Sequence, residues 1–160
     1  MIREIRQRDT LVRFDVHPDV PEKLVVADAS GGIYNVNIRD GACRMINHSR
    51  MHYPVPSVTN DGRRVVYVEM WTCMLESNSI HSSSVCGTKA IMFDIETGNE
   101  VWSADSGWIS SVITTSNGSI YASACDRKQF LKIDAETGDI TELFQIVGYQ
   151  DCIVQYSLCI

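Results

Sequence analysis

The 160-residue sequence predicts an all-β fold built from repeated four-stranded antiparallel units, on three observations. Short runs of β-branched and aromatic residues alternate with polar ones, Asn-Gly, Asp-Gly and Thr-Gly steps punctuate the runs, and a set of landmarks returns after about forty residues. No segment of useful length carries the 3.6-residue period of an amphipathic helix.

The period is read from the turns. "FDIETGNEVW" (93–102) is answered by "LKIDAETGDITELF" (131–144): Gly98 returns as Gly138, each preceded by Glu-Thr and, further back, by Asp94 or Asp134. A second landmark, Gly107-Trp108 in "GWISSVI", returns as Gly148-Tyr149 in "GYQDCIV" after almost the same interval. A third copy lies upstream in "GGIYNVNIRDGACRMI", where Gly41 takes the turn and Ile33, Tyr34, Val36 and Ile38 alternate before it. Gly41 and Gly98 stand further apart than one period, and the excess falls in the polar stretch "CMLESNSIHSSSVCGT" (73–88).

Each unit then divides into four strands. The first holds "LVRFDVHPD", "KLVVADASGG", "IYNVNI" and "ACRMIN"; the second "PVPSVT", "RRVVYVEMW", "KAIMFDI" and "NEVWSA"; the third "WISSVITT", "SIYASA", "QFLKID" and "DITELF". The connecting glycines supply the positive φ of tight hairpins, which Thr97 or Glu136 would adopt only at a cost. The unit boundaries fall at about 11–50, 51–105 and 106–148, and 149–160 is left as a lone strand containing "CIVQYSLCI". The opening "MIREIR" reads as the outer strand of a preceding unit.

A sheet of four short strands cannot bury its own faces and must stack on its neighbours, which is the design of a β-propeller blade. A β-sandwich would not explain two independent landmarks that recur with one period. Complete rings close with about four to eight blades, so three blades and an extra strand make a partial propeller. It is read as a fragment of a larger ring or a half-ring completed by a second copy, in preference to an irregular small ring.

The motif "FDIETGNEVW" resembles the repeat of quinoprotein-type (PQQ-like) propellers, in which an Asp, a Thr-Gly turn and an outer-strand Trp recur in each blade. The resemblance spans residues 11 to 148, with the full pattern in the second unit alone; the third has Leu143 or Phe144 near the Trp position and the first has Asp40-Gly41 without Thr. WD40-like and seven-bladed lactonase-type propellers share the architecture. Quinoprotein dehydrogenases of the resembled family hold a calcium-bound cofactor with carboxylates and, in several, an adjacent Cys-Cys pair. This sequence has no adjacent cysteines and too few blades to enclose such a group, so no cofactor is expected.

Composition narrows the function classes. A formal charge of −6 argues against nucleic acid as the main partner, because phosphate binding rests on Lys and Arg. Arg3, Arg6, Arg8 and Arg13 stand among Glu4, Asp9 and Asp15 and read as a solvated strand face. No apolar run approaches the roughly 18 residues of a membrane span and the first residues lack an apolar leader, so a soluble, cytoplasmic protein is expected.

None of the six cysteines forms a C-x-x-C pair. Cys43, Cys125, Cys152 and Cys159 read as small buried hydrophobes. Cys73 and Cys86 flank the polar insert and are a candidate disulfide in an oxidising compartment, whereas zinc on Cys73, His81 and Cys86 would lack a fourth ligand, so no metal site is assigned. No G-x-S-x-G elbow and no glycine-rich phosphate loop with a lysine occurs, and no catalytic residue is assigned. Asp28, Asp105, Asp126 and Asp151 would bind calcium only if they converged.

In a propeller the connections alternate between two faces. The tight turns at Asn60-Asp61-Gly62, Thr97-Gly98, Asn117-Gly118 and Thr137-Gly138 share one face and leave it bland, and the longer loops gather on the other. That loop-rich face collects His48, His52, Tyr53, Trp71, His81, Trp108 and Tyr149 as candidate partner-binding residues. Trp108 and Tyr149 also suit packing between blades, because they are repeat equivalents. The sequence therefore reads as a non-catalytic protein-interaction or scaffold module, with a homo-oligomer completing the ring as a further expectation. The alternative is a fragment of a propeller enzyme or a small-molecule, quinone- or calcium-binding protein.

Overall fold

The computed structural model describes residues 11–16, 20, 22–50, 54–74, 83–105, 107–124 and 128–145. They form three four-stranded antiparallel sheets, and no described residue is helical. The first sheet is β1 (Leu11–Val16), β2 (Lys23–Asp28), β3 (Gly32–Asn37) and β4 (Cys43–His48) in that order. The second is β5 (Ser57–Val58), β6 (Arg64–Met74), β7 (Ser83–Asp94) and β8 (Glu100–Asp105). The third is β9 (Ile109–Thr114), β10 (Ile120–Ala124), β11 (Gln129–Ile133) and β12 (Ile140–Gln145). Within these sheets every described strand is hydrogen-bonded to its chain neighbours, so each sheet is a simple up-and-down meander.

The sheets stack through two apolar layers. Val25, Ala27, Ile33 and Ile46 of the first sheet pack against Val65, Tyr67, Ile91 and Phe93 of the second. The opposite face of the second sheet, with Val66, Val68, Met92 and Trp102, packs against Ile109, Val112, Ile120 and Leu131 of the third. Buried on both faces, the middle sheet has no solvent side, which is why "VVYV" (65–68) is continuously apolar instead of alternating. Strand β10, covered on one side, alternates: Ile120, Ala122 and Ala124 are buried and Tyr121 and Ser123 only in part.

The repeated Asp-x-Glu-Thr-Gly sequence is a turn and a dock together. The Asp94 carboxylate accepts from the Thr97 amide at 2.7 Å and hydroxyl at 2.9 Å, and Asp134 accepts from Thr137 in the same way. The glycine amide closes the turn on the Asp carbonyl at 2.9 Å in both, and Gly98 and Gly138 stand at φ +73 and +78. In the first sheet Asn37 replaces the Asp: its side chain accepts from the Arg39 amide and its carbonyl from the Gly41 amide, both at 2.9 Å. A second reason for glycine at 138 is proximity, since a Cβ there would lie 2.9 Å from the Trp102 ring.

The residue after the Asp offers its carbonyl to the preceding sheet. Trp102 donates its indole N–H to the Ala135 carbonyl at 3.0 Å, and Arg64 donates to the same carbonyl at 3.1 Å. The first seam repeats this with a different donor, the Arg44 guanidinium on the Ile95 carbonyl. Beside each dock a cation meets the turn glutamate: Lys23 with Glu96 at 3.3 Å, and Arg64 with both oxygens of Glu136 at 3.0 Å. Such exposed pairs are worth less than about 1 kcal/mol each, so they set register while the buried apolar faces supply the stability.

The polar excess in the second unit is not a loop throughout. The β6–β7 ladder runs on from Trp71↔Gly87 to Met74↔Ser83, past a register shift next to Trp71, so β6 and β7 reach 11 and 12 residues against five or six in most others. To this extent the polar stretch 73–88, read from the sequence as an insert between strands, is itself paired strand. Once two antiparallel strands are in register, each further pair adds ladder hydrogen bonds without a new loop closure, and β-branched Thr72 and Val85 suit the extended backbone.

Candidate functional site

The loop-rich face is formed by the β4–β5 and β8–β9 connections together with the β2–β3, β6–β7 and β10–β11 hairpin ends. Among the residues proposed for it, Trp108 is the best defined. Thr88 holds the backbone on both sides of it: the Thr88 amide donates to the Gly107 carbonyl at 3.1 Å, and its hydroxyl donates to the Ile109 carbonyl. The Asp105 carboxylate accepts from the Gly107 amide at 3.0 Å and secures the approach. The indole itself remains 41% exposed. A rigid backbone and a projecting aromatic ring are the attributes of a recognition residue.

His48 is exposed at the end of β4, opposite Gly32. It belongs to an outermost strand whereas Trp108 introduces an innermost one, so the two stand at different radial positions. Behind His48, the Ser49 amide donates to the Gly31 carbonyl at 2.8 Å, and the buried Glu69 accepts from the Arg50 amide at 2.7 Å. These contacts anchor the start of the β4–β5 connection. His52, Tyr53, His81 and Tyr149 lie outside the described residues, as does the lone strand 149–160. For Trp71, Cys73 and Cys86 only the strand backbone is described; the register sets Cys73 opposite Ser84, not opposite Cys86.

One sequence reading needs correction. Cys43, expected to be buried, is exposed on β4, because the first sheet's outermost strand has no covering layer at that place among the described residues. Partial burial pushes its thiol upward, away from the reactive thiolate form. Asp28, considered as a calcium ligand, is 2% exposed and already saturated. It accepts from the Ser30 amide and hydroxyl, the Gly32 amide and the Tyr34 hydroxyl at 2.8 to 3.0 Å, closing the β2–β3 turn.

Burial pushes the Asp28 carboxyl up, but these donors outweigh it and hold its pKa below the ordinary value of 3.8. A carboxylate with a lowered folded-state pKa adds stability above its unfolded value and loses it as pH falls through the folded one. The melting temperature is therefore expected to drop below about pH 4, and Asp28→Asn is expected to lower it at pH 7 while flattening part of that acid slope. Thermal melts between pH 7 and pH 2 check this; an unchanged slope in the variant would remove Asp28 from the acid response.

The opposite face was expected to be featureless, and it is not. At the meeting line of β1, β5 and β9, the Asp15 carboxylate accepts from the Val58 amide at 2.7 Å, and the Ser57 and Thr114 hydroxyls lie 2.9 Å apart. Thr114 also donates its hydroxyl to the Val58 carbonyl and its amide to Ser57 Oγ, the latter at 3.0 Å. An open depression of about 180 Å³ lies here, lined by Asp15, Val58, Asn60, Thr114 and Ser116 among others. Sequence reasoning missed these residues, because the partners stand far apart in the chain on three different strands. Aligning the innermost strands of the repeat is the signal that would have found them. Among the described residues, no three His, Cys, Asp or Glu side chains gather to hold a metal ion.

No protein-family model and no curated protein matches the chain. Solved structures do. Tricorn protease is similar over 86% of this chain and 13% of its own length (13% identity, TM-score 0.59). An auxiliary nutrient binding protein from Bacteroides thetaiotaomicron VPI-5482 is similar over 86% and 31% (14% identity, TM-score 0.59), and an oligogalacturonate lyase in complex with manganese over 81% and 39% (11% identity, TM-score 0.57). The protease and the lyase are β-propeller proteins. The chain is a partial β-propeller. Each of the three described sheets is a blade, and the chain spans well under half the length of those structures. At such identity the likeness establishes the fold alone, and no family match assigns the blades to the PQQ-like or WD40 class. No helix among the described residues is long and apolar enough to cross a membrane.

Proposed function

We propose that this partial propeller is a non-catalytic protein-interaction module that binds a protein partner through its loop-rich face, with Trp108 in the contact. The observation that carries the reading is the Trp108 backbone clamped by Thr88 beneath an indole 41% exposed. Trp is among the residues that dominate binding energy where a partner buries it, and fixing its backbone in advance lowers the entropy lost on binding. His48 at the end of β4 and the long β6–β7 ladder belong to the same face. The PQQ-like repeat, with its Asp turn and Trp102 dock, supplies the scaffold.

Affinity capture with the wild-type chain and the Trp108→Ala variant, compared side by side, tests the reading. The variant is expected to lose a captured partner at least tenfold, in line with about 2 kcal/mol or more for a contact Trp, with its melting temperature unchanged. Equal capture would remove Trp108 from the interface, and an unfolded variant would assign it to the core. The axial depression at Asp15 and Thr114 favours a second reading, a small-molecule site in a propeller enzyme or binding protein, in keeping with the name of the similar nutrient binding protein. A ligand whose stabilisation is lost in Asp15→Ala and kept in Trp108→Ala would establish that reading.

A further inference from the structure

Each blade has a forward face toward the following blade and a rear face toward the preceding one, and the outermost two faces are covered by no described strand. On the rear face of the first blade the register aligns Phe14, Val26, Tyr34 and Met45 in one row across all four strands. A second row, from Val16 to Cys43, is equally apolar. The corresponding positions of the second blade include Val65, Tyr67, Ile91 and Phe93, all buried against the first. The rear face of the first blade thus has the composition of a seam; Phe14 and Met45 at its two edges are 66% and 54% exposed, while Val26 and Val36 between them are buried.

The forward face of the third blade presents Ile113, Tyr121, Phe130 and Phe144, with Phe130 and Phe144 stacked at 4.9 Å and Phe144 56% exposed. Ser123, Lys132 and Thr141 stand between them, where the second blade's forward face is apolar. Aromatic residues set among polar ones are the make-up of surfaces that separate chains bring together and that must be tolerable in water beforehand.

Charge selects between forward faces. Lys23 and Arg64, at the start of β2 and β6, meet Glu96 and Glu136 in the turn of the following blade. The first blade's turn carries Arg39 at the glutamate position, bonded at 2.6 Å to Glu22 of its own blade. A forward face with a cation there would meet like charge. The third blade alone has a neutral residue, Ser119, at that place.

We propose that two copies of this chain associate head to tail: the forward face of the third blade of each packs on the rear face of the first blade of the other. With three described blades in each copy, two such seams close a ring of six, within the four to eight that propellers use. The proposal does not depend on Trp108 or its partner.

Light scattering on a sizing column, with the full chain at micromolar concentration, is expected to give twice the chain mass of 17.9 kDa. Phe14→Glu and Phe144→Glu alter exposed side chains on opposite faces, and each is expected to be a folded monomer by circular dichroism and mass. Mixed, they still share one seam intact, the forward face of the Phe14→Glu chain against the rear face of the Phe144→Glu chain, and are expected to return to dimer mass. A monomeric wild-type chain overturns the proposal. So does a Phe144→Glu chain that still dimerises, which would mean two rear faces stacking on each other, or a mixture that stays monomeric.

Discussion

Trp102→Ala is expected to destabilise the protein by about 3–5 kcal/mol, the range for removing a large buried aromatic side chain. The side chain is 7% exposed, packs among Val66, Met92, Ile120 and their neighbours, and its N–H is taken by the Ala135 carbonyl at 3.0 Å. Alanine leaves a cavity between two blades and removes that carbonyl's indole donor. It also removes the ring against which Gly138 is fitted. Repeat architectures are held by nearest-neighbour seams, so the loss should fall on the third blade: amide exchange in β9–β12 is expected to quicken before that in β1–β4. Urea unfolding followed by circular dichroism gives the magnitude. A loss under about 1 kcal/mol would mean that the seam does not depend on this ring. Trp102→Phe keeps most of the packing and should fall between alanine and wild type.

Tyr67 holds the other seam, and Tyr67→Ala is expected to cost a similar ~3–5 kcal/mol. The side chain is 0% exposed, stacks on Phe93 with centroids 5.8 Å apart, and its hydroxyl oxygen accepts from the Asn47 side-chain amide of the first blade at 2.6 Å. Burial raises the phenol pKa, with the Asn47 hydrogen bond opposing, so the hydroxyl stays neutral at physiological pH. Tyr67→Phe separates the two contributions. It preserves the ring and the stack while leaving the Asn47 donor without its acceptor, which costs about 1–3 kcal/mol where that donor is shielded from water. Should Tyr67→Phe prove as damaging as Tyr67→Ala, the hydrogen bond and not the ring would carry the seam; indifference to both would take Tyr67 out of it. Denaturation midpoints of the three proteins decide the matter.

The turn motif shows how far sequence reasoning reaches here. Asp94, Thr97 and Gly98 interact within a single turn, so their chemistry is local and recurs wherever the letters recur. Asn37 performs the aspartate's part with a different residue, and letter matching passed over it. The docks were less legible still. Trp102 was visible as part of a repeat, but its acceptor lies in the next blade, and the equivalent donor in the first blade is Arg44, which has no likeness to Trp. What is shared is a carbonyl, and carbonyls leave no mark in a sequence.

By itself, the sequence determined the strand order, the hairpin turns and the repeated unit, and through them the propeller architecture. These follow from φ preferences, alternation and side chains bonding to their own turn, all of which act over a few residues. Only the tertiary structure decided that the excess in the second unit lengthens a hairpin, that Asp28 is saturated, that Cys43 is exposed and that Asp15, Ser57 and Thr114 meet across three blades. The meeting of Asp15, Ser57 and Thr114 depends on how inner strands converge, with partners a whole repeat or more apart in the chain, and the exposure of Cys43 on which faces stack. The Asp28 donors and the longer hairpin are closer in the chain, but which side chains turn inward and how far the ladder runs are decided by packing and burial.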